Sequence, residues 1–73
     1  MIRTFHLLRT LDPGGVSGIG LVAEGVELTG GVCILHWIAD PTKNTLEIHP
    51  TVTILLSIHG HIGTSLVWDV PCA

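Results

Sequence analysis

Positive charge is what this chain has least of. Three of its 73 residues are Lys or Arg, namely Arg3, Arg9 and Lys43, against six Asp or Glu, for a formal net charge of -3. Strong binding to a nucleic-acid backbone needs clustered cations that release counterions, so nucleic acid is not an expected partner. Tyrosine is absent, and Phe5, Trp37 and Trp68 are the only aromatics. The two tryptophans therefore read first as core anchors and second as a stacking platform for a base or sugar. Cysteine occurs twice, Cys33 in an apolar run and Cys72 in the C-terminal tail. Arg3, His6 and Arg9 interrupt the apolar residues at the N-terminus and leave no secretory signal pattern. Free thiols in a cytoplasmic protein are the expectation, with a Cys33 to Cys72 bridge left open. Asp, Glu, Lys and Arg are all missing between Glu47 and Asp69, about the length of a membrane span. Pro50, Gly60, Gly63, three histidines and five hydroxyl side chains fall in or beside that stretch and argue against a span.

Apolar residues, by contrast, make up 47% of the chain. A single domain of this size, residues 1–73, buries only ~60% of the surface its unfolded chain exposes. Small domains compensate with disulfides, a metal or self-association, and this composition points to the last, a homo-oligomer. Five histidines are many for the length, and protonating all of them moves the net charge from -3 to +2. Acid is therefore expected to change self-association.

Gly14 to Trp37 holds seven of the nine glycines and organises the rest. Ile2 to Leu11 reads as a first strand, ended by the turn chemistry of Asp12-Pro13-Gly14-Gly15. Ile19 to Leu28 reads as a strand with a bulge or bend at Gly25, because Glu24 and Glu27, three apart, do not fit one face at a period of two. Thr29-Gly30-Gly31 closes a hairpin onto Val32 to Ile38, an apolar run expected to be central and covered on both faces. A loop over Asp40 to Asn44 precedes a short run at Leu46 to His49. Thr51 to His59 has strand-type residues, yet Val52, Leu55, Leu56 and His59 fall at helical spacing, and a hydroxyl before and Gly60 after suit a cap at each end. A short helix is the reading adopted. Gly63 marks a turn, and Ser65 to Val70 a last strand. The fold class is mainly β, or α+β with the 51–59 helix: a small antiparallel β-barrel or a strongly curved sheet with one short helix across it.

The block Gly15-Val16-Ser17-Gly18-x-Gly20-x-Val22-Ala23-Glu24-Gly25, the hairpin with Trp37, and Ile58-His59-Gly60-His61-x-Gly63-Thr64 with Trp68 resemble a family of short uncharacterised proteins of bacteria and their phages. The resemblance spans most of the chain. It implies a common fold and a setting in phage or bacterial defence, with no activity attached.

Several groups are candidates for chemistry. Gly18-Ile19-Gly20-Leu21-Val22-Ala23 fits G-x-G-x-x-A, but a strand follows where a dinucleotide site needs a helix. The Gly14 to Gly20 loop is either a tight turn or a backbone nest that meets an anion with help from Ser17, Gly18 and Gly20. His59 and His61, one residue apart, can converge on a metal with His49 or Glu47 adding ligands. Capping of the helix C-terminus is the plainer reading, since two adjacent imidazoles are too few for zinc. Ser17 with His59 or His61 and Asp12 lacks a nucleophile elbow. Glu24 is a base if buried and a solvated edge carboxylate otherwise.

Two functions follow. The first is a non-catalytic, self-associating binding module that needs no cofactor or metal and takes a small anionic ligand, such as a signalling nucleotide, or a host protein. Its contacts would be Ser17, Gly18, Gly20, Glu24, Trp37, His59 and His61. The second is a small metal-dependent hydrolase or lyase using His59, His61 and Glu24.

Overall fold

A computed structural model describes residues 1–11, 19–39, 42, 44–60 and 62–69. Five strands and one helix follow the chain as β1 (Arg3–Arg9), β2 (Gly20–Glu27), β3 (Cys33–Trp37), β4 (Leu46–His49), α1 (Val52–His59) and β5 (Thr64–Trp68). The strands form one sheet in the order β4-β3-β2-β1-β5, every neighbouring pair antiparallel. β4 and β5 are both edges, so the sheet is not closed into a barrel. It fits the curved sheet with one short helix.

Hairpin chemistry behaves as the glycines require. Gly30 and Gly31 both take positive φ, at 95 and 104°, a region that side chains with a Cβ avoid. The amide of Leu28 reaches the carbonyl of Val32 at 2.7 Å to close the turn. The strand bulge, however, is not at Gly25. Leu7 pairs with Ala23 and Leu8 with Leu21, which leaves Val22 as the extra residue. Gly25 continues the ladder because Phe5 lies across it: a Cβ there would stand 2.4 Å from the Phe5 ring and 2.8 Å from the Ile34 carbonyl oxygen. Glu24 and Glu27 need no bulge between them, since they occupy opposite faces, Glu24 against His36 and Glu27 against Arg3 at 2.8 Å.

The register assigns the two faces. Phe5, Leu7, Arg9, Ala23, Cys33, Leu35, Trp37, Glu47, His49, Thr64, Leu66 and Trp68 share one face, and α1 lies over it. Phe5, Leu7, Val22, Ala23, Cys33, Leu35 and Leu55 are the buried apolar core, with Trp37, Val52, Leu56, Leu66 and Trp68 packed around it. Trp68 meets Phe5 edge to face at 5.4 Å and carries the Arg3 guanidinium at 3.7 Å. The other face is open. β3 is paired on both edges, yet it is covered on one side only: Ile34 and His36 are half-buried, and Leu46 and Ile48 beside them are exposed. The sequence expectation of cover on both faces fails because the chain has one helix, and one helix covers one face.

α1 begins as its cap predicts. Thr51 is extended, with φ -149°, and its hydroxyl accepts from the Ile54 amide at 3.1 Å; the Gly60 amide bonds the Leu56 carbonyl at 2.7 Å. The helical spacing of Val52, Leu55, Leu56 and His59 turns those four toward the sheet. Cys33 is a buried free thiol, its pKa raised by burial and by the charge of Glu27 and partly offset by its bond to the His49 carbonyl. Cys72 lies outside the described residues. No helix among the described residues is long and apolar enough to cross a membrane.

Two substitutions test this packing. Thr51→Ala removes a cap and is expected to cost ~1 kcal/mol. Gly25→Ala must displace Phe5 and a backbone carbonyl, an overpacking cost of ~1–3 kcal/mol. Urea melts that found Gly25→Ala no less stable than the parent would show that β2 and β3 have room to part.

Candidate functional site

The face that α1 covers is not apolar throughout. β4 supplies Glu47 and His49 two residues apart, and strand alternation turns both toward α1, opposite Leu35 and Cys33. α1 ends on His59, which its helical phase brings down over β3 and β4. These residues meet at a single carboxylate. Oε1 of Glu47 accepts from Nε2 of His49 at 2.9 Å and from Nε2 of His59 at 2.8 Å, while Oε2 accepts from the Trp37 indole nitrogen at 2.6 Å. The Trp37 and His59 rings meet edge to face at 4.9 Å, and those of His49 and His59 at 5.8 Å.

The site is sheltered without being sealed. His49 is 8% exposed, and the side chains of His59 and Glu47 are 18% and 34% exposed. Burial opposes ionisation of Glu47, but the hydrogen bonds from Trp37, His59 and His49 and the charge of His59 outweigh it and hold the carboxyl below its usual range. An ionised carboxylate only accepts, so in this arrangement both Nε2 atoms carry hydrogen.

Arg9 extends the constellation. It alternates with Phe5 and Leu7 and is therefore drawn inward, to 3% exposure. Its Nε donates to the Thr64 hydroxyl at 3.0 Å, and its guanidinium carbon stands 5.9 Å from the Trp37 ring centroid. Among the described residues no carboxylate forms an ion pair with it. A buried cation that lacks a counter-charge costs several kcal/mol, and since none is found among the described residues, this end of the site suits an anion. One flat indole thus links a guanidinium to a carboxylate that gathers two imidazoles. Chemically, that set is able to neutralise an anion, move a proton at an imidazole nitrogen, or hold a metal through two nitrogens and an oxygen.

Of the residues singled out from the sequence, Trp37 and His59 lie in this cluster. Glu24 does not: it sits on the open face, bonded to His36 at 3.2 Å, with the sheet between it and His59. Gly20 pairs with Arg9 at the start of β2, with φ 90°. Ser17, Gly18 and His61 lie outside the described residues. Glu47 and His49, considered only as auxiliary ligands, are its centre. Arg9 was missed, although its even spacing from Phe5 and Leu7 was the signal. A depression on the open face, bordered by Thr4, Glu24, Val26, Ile34, His36 and Asp69, lies across the sheet from this cluster. Its polar groups are already paired, His36 with Glu24 and with Asn44, and His6 with Asp69 at 2.8 Å. The Asn44 and Glu24 bonds raise the His36 pKa, and bonds from Thr4 and His6 lower that of Asp69.

The Glu47 shift fixes a sign. Because its pKa is lowered on folding, the carboxylate contributes stability that is present above its unfolded value and lost as pH falls through the folded one. In chelator-containing buffer, Glu47→Gln is therefore expected to lose less stability than the parent between pH 7 and about pH 3. Equal acid losses in urea melts of the two proteins would show that the three donors do not stabilise the ionised form.

No curated protein and no solved structure matches the chain. The model of one family, described as Acb5 phage protein, matches residues 2–70. Since that segment contains all five strands and α1, the chain belongs to the Acb5 phage protein family.

Proposed function

We propose that this phage-family protein hydrolyses a small phosphate ester, with nucleotides the first class to test, at the cluster of Glu47, His49 and His59, with Trp37 and Arg9 beside it. The observation that carries the reading is the pair of imidazole nitrogens held on one oxygen of a half-buried carboxylate. It supports putting the hydrolase reading ahead of the binding module, because two imidazoles fixed at one point suit proton transfer. Arg9 supplies the positive charge that a phosphate seeks and that the described residues leave uncompensated. Trp37 offers a ring beside it for a base or sugar. In the reaction, water adds to phosphorus, the ester P–O bond breaks, and the proton lost by the water is delivered to the departing oxygen. The cluster is the group that activates the water, and Glu47 fixes both rings in place. The phage family supports a host molecule as the target.

Self-association belongs to the same proposal and rests on the open face. Ile48 and Leu46 are 72% and 66% exposed on edge strand β4, in register with Ile34 and His36. A second copy covering this face would hide apolar surface that a domain this small leaves in water. A non-catalytic module that holds an anionic ligand at Arg9 and Trp37 is the second reading, favoured by the same guanidinium, which no carboxylate among the described residues pairs.

Incubation with a panel of phosphate monoesters and diesters, including nucleotides, followed by chromatography, separates the two. Turnover that falls ~100-fold or more in His59→Asn and survives in His36→Asn supports hydrolysis. A ligand that binds tightly, is recovered intact and is lost in Arg9→Met would instead make this a binding module. For the open face, Ile48→Lys is expected to lower the native mass found by light scattering. A monomeric parent over a wide concentration range would end the oligomer reading.

A further inference from the structure

We infer that Glu47, His49 and His59 form a binding site for one divalent transition-metal ion of the zinc class. This deepens the hydrolase reading by naming what sits in its cluster, but it stands on geometry and not on turnover. The ligand atoms of the three side chains all lie within 4.8 Å of one another. Tetrahedral ligands at ~2.0–2.1 Å from zinc stand roughly 3.3 Å apart. To admit the ion, the imidazoles, now 2.8 and 2.9 Å from Glu47 Oε1, draw back from that oxygen by a few tenths of an ångström while their own separation, within 4.8 Å, adjusts to the same value.

The donor set selects the kind of metal. Two imidazole nitrogens and one carboxylate oxygen match the three-ligand zinc sites that keep a fourth position for water. Calcium and magnesium take oxygens almost throughout, so they are disfavoured. To ligate the ion, each Nε2 must be free of its hydrogen, which moves to Nδ1 or leaves the ring. Outside the ligands, the Trp37 N–H bond to Oε2 occupies the second carboxylate oxygen and leaves Oε1 turned toward the rings, the role a supporting donor plays in known sites. The ligands also stand on fixed elements. His49 and Glu47 share a face by strand alternation, and His59 is held by the packing of α1. Sequence alone offers two neighbouring imidazoles, His59 and His61. The fold brings in two further donors from β4.

The test uses the full chain, treated with chelator and titrated with Co2+ and then Zn2+. One Co2+ per chain is expected, with the strong visible absorption of tetrahedral cobalt, displaced by Zn2+. In a Trp68→Phe background Trp37 is the sole tryptophan, and its emission is expected to change in step with that titration. His49→Asn and Glu47→Gln should each weaken cobalt binding by ~100-fold or more, whereas His36→Asn on the open face should not. Chelator should lower the melting temperature of the zinc-loaded parent by ~5 °C or more and leave His49→Asn unmoved. No stoichiometric cobalt signal overturns the inference, as does an unchanged signal in both folded ligand variants. If His49→Asn does not fold, Glu47→Gln, with similar size and shape, decides. Metal binding without turnover of any ester would leave this site standing and remove the hydrolase reading. Turnover in chelated protein with no cobalt bound would do the reverse.

Discussion

The seating of Leu55 against the sheet is the contact on which the rest of this structure depends. An eight-residue helix is too short to persist alone in water, so α1 exists because Leu55 is fully buried among Phe5, Leu7, Val22, Cys33 and Leu35. That contact fixes the rotation of α1. The same rotation that buries Leu55 places His59, one turn on, over the inward side chains of β3 and β4. The core and the polar cluster are therefore two ends of one interface.

A domain of this size has little apolar area to spare, yet it commits several inward positions to Arg9, Glu47, His49 and His59. Each of those positions forgoes the ~1.5–3 kcal/mol that a buried aliphatic side chain contributes. Satisfied hydrogen bonds offset part of the loss. No buried side-chain nitrogen or oxygen among the described residues lacks a partner. Groups kept inside at such cost are where function tends to be found.

Much of the fold was legible in the sequence, because its signals are local. Thr51 and Gly60 bracket α1, and Gly30 and Gly31 need positive φ. What was not legible is what depends on distant partners. Gly25 looked like a bulge because a single strand does not reveal that Phe5 will cross it, and the bulge fell at Val22. Cover on both faces of β3 failed because the number of covering helices, not the apolarity of the run, decides it. The same limit governed the site. His59 and Trp37 were visible as types, but Glu47 and His49 join them only through the β3 to β4 register and the phase of α1. Glu24, near in type, is carried to the opposite face by parity alone. Arg9 was readable in principle, as the third inward residue of an alternating strand.

β4 is four residues long and has a neighbour on one side only. Edge strands of that kind open more easily than the sheet behind them, by local fluctuations that leave the main core intact. Since Glu47 and His49 ride on β4 while His59 rides on α1, the cluster exists only while the edge is docked. Anything that bridges them acts as a clasp across the Pro50 junction, and it slows amide exchange in β4 and α1 well before it alters exchange in β1 or β2.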